Sequence, residues 1–451
     1  MSFDFVDLFA GIGGFHAALS AMGGNAVLAS EIDEDAARTY ERNWDLAPAG
    51  DVRVLASKAN ALVPDHAVLA AGFPCQPFSK SGRQLGFDEI RGQLFGEILR
   101  ILNAKRPPVV VLENVRNIAG PRQRHVWEAI VGGLREAGYR TPSEPCVYSP
   151  HLLARSLGGS PQTRDRVYIL GTYVGRERAM VETSISPVVG RRETEGWSPR
   201  EWDLERDVLE LDHEIDGRER YLISDDEAAW LRVWNDFLAR TRNVPLPGFP
   251  LWSSYWFPET SVDPSAPQWK QVLESKNIAF YRAHRRTIDA WRRANPEVDT
   301  FPASRRKLEW QAGDLARDLR LCLVQFRPSG IRAKRPDYAP ALVAIAQTPL
   351  VGPRLRHFTL RESARLQGFP DWFTFDGQTM AASYKQLGNA VHPGVVYHVL
   401  RQHVLRDAAD IERHPLGRDL VASATEASEM CIVPNPRAAV VHTSGANGGA
   451  R

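Results

Sequence analysis

Cys75 stands in the stretch Gly72-Phe73-Pro74-Cys75-Gln76-Pro77-Phe78-Ser79-Lys80-Ser81-Gly82. Gly72 and two prolines end the apolar run 67–71 and impose a rigid turn on the residue between them. A thiolate held on such a turn is a soft nucleophile suited to covalent catalysis. Taken alone, a Pro-Cys reads more readily as a small buried cysteine beside a turn. Three other side chains change that weighting. Glu113 follows a second apolar run, 108–112, and Arg164 and Arg166 precede a third, 167–171. The carboxyl can take up or supply a proton, or belong with Asn114 to a helix cap. One arginine could be a solvated edge charge, but two at i and i+2 suit an anion or the carbonyl of a base.

A second constellation opens the chain. A strand over residues 3–9 runs into Ala10-Gly11-Ile12-Gly13-Gly14 and then into a helix starting at Phe15. Strand, glycine turn and helix N-terminus together bring backbone N–H groups to a nucleotide-like ligand. The same glycines would also serve a merely tight turn. Glu31 ends the next strand about 20 residues after the glycines, the spacing of a ribose-binding carboxylate, or of an exposed acid at a strand end. The third glycine of the dinucleotide fingerprint is missing, so NAD fits poorly. A mononucleoside cofactor such as S-adenosylmethionine, with no pyrophosphate to cradle, fits better. Asp51, placed where a third strand would end, either accepts from an adenine amino group or caps a plain turn.

These residues need a scaffold that gathers strand ends on one rim. Apolar runs alternating with helical spacing up to about residue 172 predict an α/β domain, a mostly parallel sheet with helices on both faces. Residues 79–93, poor in large apolar side chains, read as a lid loop, followed by an amphipathic helix over 94–102. From Thr172 the alternation lapses, and nine of the twelve tryptophans fall between there and Ala346, which requires a second folded domain. Ser224 and Glu227 form a capping box there, ahead of the apolar face Trp230, Leu231, Trp234, Phe237 and Leu238. Four basic clusters follow, at 282–286, 292–293, 304–307 and 327–335, interleaved with Tyr281, Trp291 and Trp310. Together they have the composition of a DNA groove-reading surface, although each alone reads as a solvated helix face. Residues 361–370 form a short helix stopped by Gly368 and Pro370. Residues 384–391 read as a polar turn opening a helix over 394–405, and residues 406–451 as a flexible tail.

Composition bounds the partners. At 451 residues and a net charge of +2, a nucleic-acid surface must come from local clustering. No apolar run approaches the ~20 residues of a membrane helix, and residues 1–4 lead into a strand without a basic, cleavable leader. Four scattered cysteines with no Cys-x-x-Cys pair argue against a metal site or a disulfide framework and for a reducing cytoplasm.

Taken in order, these stretches resemble the DNA (cytosine-5)-methyltransferases of bacterial restriction–modification systems. Residues 7–15 are similar to that family's cofactor loop and 72–79 to its nucleophile motif. Glu113-Asn114-Val115, Gln162-x-Arg164-x-Arg166, the 361–370 helix and Gln386-x-Gly388-Asn389 are similar to four further motifs. The resemblance covers most of residues 1–172 and 354–405. It implies a Rossmann-like S-adenosylmethionine-binding domain (residues 1–172 and 381–405) and a smaller irregular target-recognition domain (173–380), with double-stranded DNA as substrate. It further implies Cys75, Glu113, Arg164 and Arg166 as catalytic residues. Phe9, Ala10, Gly11, Gly13, Gly14, Glu31, Ile32, Asp51, Pro74 and Asn389 would hold the cofactor. Ile32 stands where the family often has an aromatic residue. Ser79, Ser81, Gln84 and Arg91 would close on DNA around a cytosine flipped out of the duplex. The implied protein is a monomer in a bacterial cytoplasm, associated with the nucleoid, beside a separately acting restriction endonuclease. A transfer-RNA cytosine-5 methyltransferase and a catalytically silent DNA-binding regulator are the competing readings.

Overall fold

The computed structural model describes residues 1–74, 94–313, 317–344 and 348–432. Within them the chain divides into two compact units, one of residues 1–203, 340–346 and 363 onward, the other of residues 204–339 and 347–362. The first unit thus runs some thirty residues past Thr172 and takes the chain back at Ser363 rather than Ala381.

The first unit is built on a seven-stranded sheet. Its strands are β1 (Phe3–Leu8), β2 (Gly24–Ser30), β3 (Val68–Ala71), β4 (Val109–Val115), β5 (Tyr139–Arg140), β6 (Cys146–Tyr148) and, after the short Gln162–Thr163 strand β7 of another pairing, β8 (Arg166–Tyr173). The order is β2-β1-β3-β4-β8-β5, with β6 also on β8. β1 pairs in parallel with β2 and β3, and β3 with β4, whereas β8 runs antiparallel to β4. Because β2 lies to one side of β1 and β3 to the other, the strand order reverses between β1 and β3. That reversal leaves a crevice at the carboxyl ends of these strands.

Alternation along each strand explains why the sheet is covered on both faces. Val6, Leu8, Leu69, Ala71, Val110 and Leu112 enter one core with the helices Leu94–Lys105 and Arg124–Glu136. Phe3, Phe5, Val68, Ala70, Val109 and Val111 enter the other with the helices Gly14–Ala21 and Pro393–Arg406. The expected tail begins instead with two helices, Ala408–Ile411 and Gly417–Glu426, and Ile411, Leu420, Val421 and Ala424 complete this second core. Burying each large aliphatic side chain stabilises by about 1.5–3 kcal/mol, which offsets part of the entropy lost in ordering these helices. Residues 384–391, read as a polar turn, lie mostly in the helix Met380–Asn389, capped by the Thr379 side chain. Ser383, Tyr384, Gln386, Leu387 and Gly388 are its buried positions, so its polar sequence hides a packed face.

The second unit carries a six-stranded sheet around Leu323–Arg327, Gly330–Lys334 and Lys307–Gln311. The helix Asp225–Arg240 begins at the Ser224–Glu227 capping box and buries Leu231, Val233, Trp234, Phe237 and Leu238 against it. Tyr281 and Trp291, expected beside the basic clusters on a DNA-reading surface, are core residues at 1% and 0% exposure. No helix among the described residues is long and apolar enough to cross a membrane.

Candidate active site

A cavity of about 540 Å³ occupies the crevice in the first unit. Phe9 and Gly72, the residues that follow β1 and β3, both line it, with Pro74, Glu113, Arg164, Arg166 and Asn389. Its volume lies in the range of small-molecule sites.

One end is built from the glycine turn. Phe9 and Gly11 have φ of 55° each, so the chain leaves β1 in the left-handed region. A β-carbon on Gly11 would meet no atom within 4 Å, because the residue faces open cavity. Gly13 and Gly14 serve a different purpose. A β-carbon would lie 2.1 Å from the Trp44 ring at Gly13 and 2.2 Å from the Val391 carbonyl at Gly14. They are glycines for internal packing, and neither they nor the buried Ala10 line the cavity. Glu31 reaches back across the turn: its Oε2 accepts from the Gly11 N–H at 2.8 Å, and its Oε1 from those of Ile32 and Asp33. An ionised carboxylate offers about four acceptor positions, so these three bonds hold it rigid and leave one for a ligand hydroxyl. Asp51 caps the helix Val52–Ser57 by accepting from the Arg53 N–H rather than ending a third strand. Ile32 is 69% exposed on the same wall.

At the other end, Glu113 and Asn114 lie inside β4, not in a helix cap. The Asn114 amide donates to the Phe73 carbonyl at 2.9 Å and so fixes the backbone just before Pro74 and Cys75. Glu113 is 8% exposed, and its Oε1 lies 3.1 Å from the Arg166 Nε. Burial pushes the Glu113 carboxyl up, the charges of Arg166 and Arg164 oppose this, and the balance stays above the ordinary carboxylate value.

Arg164 lines the same cavity, but both terminal nitrogens of its guanidinium are occupied. Nη1 donates to the Leu342 carbonyl, and Nη2 to those of Gly388 and Ala390, at 2.8–2.9 Å. Gln367 adds a bond to the Ala390 carbonyl at 2.7 Å, and Ser160 and Gln162 both donate to Leu366. Residues far apart in sequence are thereby tied to the wall that carries Asn389. Cys75, Ser79, Ser81, Gln84 and Arg91 lie outside the described residues, as does the expected lid over 79–93.

The C-5 cytosine-specific DNA methylase family model matches residues 3–405, nearly nine-tenths of the chain. The chain belongs to this family. It is similar to the type II methyltransferase M.AluI of Cellulosimicrobium cellulans, 40% identical over 93% of this chain and 95% of that protein. It also resembles M.BanI of Aneurinibacillus aneurinilyticus, at 29% identity over 89% and 95% of the two chains. M.HhaI of Haemophilus parahaemolyticus is 40% identical over 37% of this chain and 48% of its own. As a C-5 cytosine-specific DNA methylase, the chain carries wall residues that sequence reasoning passed over, notably Ile12, Asp33 and Lys385. Lys385 lies 3.2 Å from Asp33 across the cavity mouth. Its only sequence signal was membership of the Tyr384–Val391 stretch.

Proposed function

We propose that this DNA methylase uses S-adenosylmethionine to methylate carbon 5 of a cytosine flipped out of duplex DNA, through a covalent adduct with Cys75. The observation that carries the reading is one cavity lined both by a nucleoside-type wall and by the buried Glu113 carboxyl, with Gly72, Phe73 and Pro74, the residues before Cys75, also in its lining. The residues present fit the cofactor: a glycine open to the cavity, a rigid carboxylate with one free acceptor position, a second carboxylate at Asp51 and the apolar Phe9 and Ile32. When bound, S-adenosylmethionine supplies the electrophilic methyl carbon.

Cytosine carbon 5 is too electron-poor to react unaided. The Cys75 thiolate adds to carbon 6, and the electron pair displaced from the ring double bond collects at carbon 5. Glu113, held above its usual pKa, supplies the proton that ring nitrogen 3 takes up as the thiolate adds, and accepts from the exocyclic amino group. Arg166 holds the Glu113 carboxyl in place and faces the base carbonyl. Loss of the carbon 5 proton to water then expels Cys75 as thiolate, returns the nitrogen 3 proton to Glu113 and restores the aromatic ring. Arg164 acts as a positioning residue, through the three carbonyls it binds. Ser79, Ser81, Gln84 and Arg91 supply contacts to DNA around the extruded base. The first unit binds the cofactor and carries out the chemistry, the second selects the target, and the chain acts as a monomer. In a bacterium this activity would protect DNA from a separate endonuclease of the same restriction–modification system.

Bisulfite sequencing of DNA from a methylation-free host tests the reading, with Cys75→Ser as control. Protected cytosines in one short motif, absent from the control, are the expected result. Protection equal in the control would overturn the adduct. No protection at all, with folded protein present, would overturn the activity on DNA.

A further inference from the structure

The basic clusters of the second unit are not equivalent, and the structure sorts them. Arg305 is buried, donates to the Phe326 and Arg327 carbonyls and lies over the Trp230 ring. Lys307 sits 3.5 Å from the centre of the Trp252 ring, and Arg327 and Arg332 both pair with Glu309. Those cations hold the unit together. Between residues 268 and 294 the balance differs: seven Lys and Arg accompany two carboxylates, in a chain whose net charge is only +2. Glu274 is buried, accepting from the Tyr255 hydroxyl and the Asp263 N–H, and Asp289 accepts from the Tyr281 hydroxyl and pairs with Arg285. Lys276, Arg282, Arg286 and Arg293 are exposed and have no carboxylate partner among the described residues.

The Gln268–Ala283 helix arranges its share along one face. Val272, Ser275, Lys276, Ala279, Arg282 and Ala283 are all exposed. At about 100° per residue they fall on a single arc, with Val272, Ser275, Ala279 and Ala283 between the two cations, and the exposed Gln268 and Trp269 lie on the same side in its first turn. Such a face can approach a surface closely while long basic stems reach to either side. It carries no Asn, and its one exposed Gln, Gln268, stands at the first position of the helix.

We propose that this face, continued by Arg286 and Arg293 on the Arg285–Ala294 helix, grips the sugar–phosphate backbone of duplex DNA without reading its sequence. The inference rests on the reading of DNA as substrate and assigns part of its binding to a surface of the second unit. Each phosphate neutralised releases condensed counterions, so the four cations must appear in the salt dependence of binding.

The test is a salt titration of DNA binding by the full chain, comparing wild type with K276A/R282A/R286A/R293A. The logarithmic salt slope should fall by about 3–4, since each phosphate contact contributes about 0.9. The KM for DNA should rise by roughly tenfold or more, with kcat at saturating DNA and the methylated sequence retained. The lysine variant R282K/R286K/R293K should keep the wild-type slope, and R286A and R293A singly should each lose about 0.9 of it, so the result does not depend on the quadruple variant folding. An unchanged slope, loss of binding by the lysine variant, or an altered methylated sequence would each overturn the proposal. A slope that stays unchanged while an acidic protein binds through this face would do so too. Wild-type protein that binds DNA but methylates none would defeat the catalytic reading alone.

Discussion

The Arg166 Nε lies 3.1 Å from the Glu113 Oε1 although Arg166 is registered opposite Val115, not opposite Glu113. Arg166 stands on β8 and Glu113 on the antiparallel neighbour β4, and the arginine reaches along the diagonal to a residue two positions away on the same face. Half-buried beside a buried carboxyl, it is the cation that opposes the upward shift of Glu113 most strongly.

Arg166→Gln should therefore raise the Glu113 pKa further. If the protonated carboxyl is the working form, the alkaline limb of kcat/KM that reports its deprotonation should move to higher pH. Glu113→Gln, which keeps a hydrogen-bond donor but cannot give up a proton, should lower kcat by roughly 10²–10⁴-fold with DNA binding preserved. A pH–rate profile of both variants checks this, and an unmoved limb in Arg166→Gln would remove Glu113 from the proposed role.

Arg164→Lys should act mainly on structure. An ammonium cannot satisfy three carbonyls held in a planar fork, and each buried acceptor left unpaired costs about 1–3 kcal/mol. Thermal melting should show a drop of several degrees, with a raised KM for S-adenosylmethionine from displacement of residues 388–390. A variant as stable as wild type would show that the clamp contributes nothing.

Two glycines three residues apart should fail differently. Gly14→Ala drives a β-carbon into the Val391 carbonyl, and should lower stability by about 1–3 kcal/mol through overpacking. Gly11→Ala meets no atom but projects into the cavity at a φ of 55°, so the cofactor KM should rise while stability falls by only about 1 kcal/mol. Denaturant unfolding beside cofactor KM separates them, and identical profiles for both variants would refute the division of labour.

Buried histidines set an acid limit. Burial pushes His16 and His392 down to about 3, and His66, His398 and His403 to about 4. Their folded pKa values lie below the unfolded value of about 6.5, so the unfolded chain takes up protons first. The stability they contribute is complete above about pH 6.5 and is lost as pH falls toward the folded values. His357 has the opposite sign: burial lowers it, but hydrogen bonding to Glu227 and its charge outweigh that, and its contribution is lost as pH rises through its raised pKa. With six histidines lowered, counting the partly exposed His414, against the raised His357, Asp7 and Glu113, Tm should fall on going from pH 7 to pH 5.5, and His392→Gln should flatten that slope. A Tm independent of pH over this interval would contradict the assignment.

Much of the site was legible because it depends on local order. Glycine turns after strands, a carboxylate about twenty residues on and paired arginines before a strand are statements about neighbours in sequence, and Phe9, Gly11, Glu31, Asp51, Glu113 and Arg166 all reach one cavity. Sequence also determined the α/β class, since apolar runs of strand length alternating with helical spacing have few ways to bury both faces. What only the tertiary structure decided is what each polar group faces. Arg164 and Arg166 look equivalent two residues apart, yet one meets three carbonyls and the other a carboxyl, because segments near residues 342 and 388–390 return to the same wall. The helices beyond residue 406 show no marked period, and form because Ile411, Leu420 and Val421 meet a sheet face built some four hundred residues earlier. Tyr281 and Trp291 were read as a surface, and the fold turned them inward, leaving the cations between them exposed. Composition records how many charges and rings a stretch carries, but packing determines which of them water can still reach.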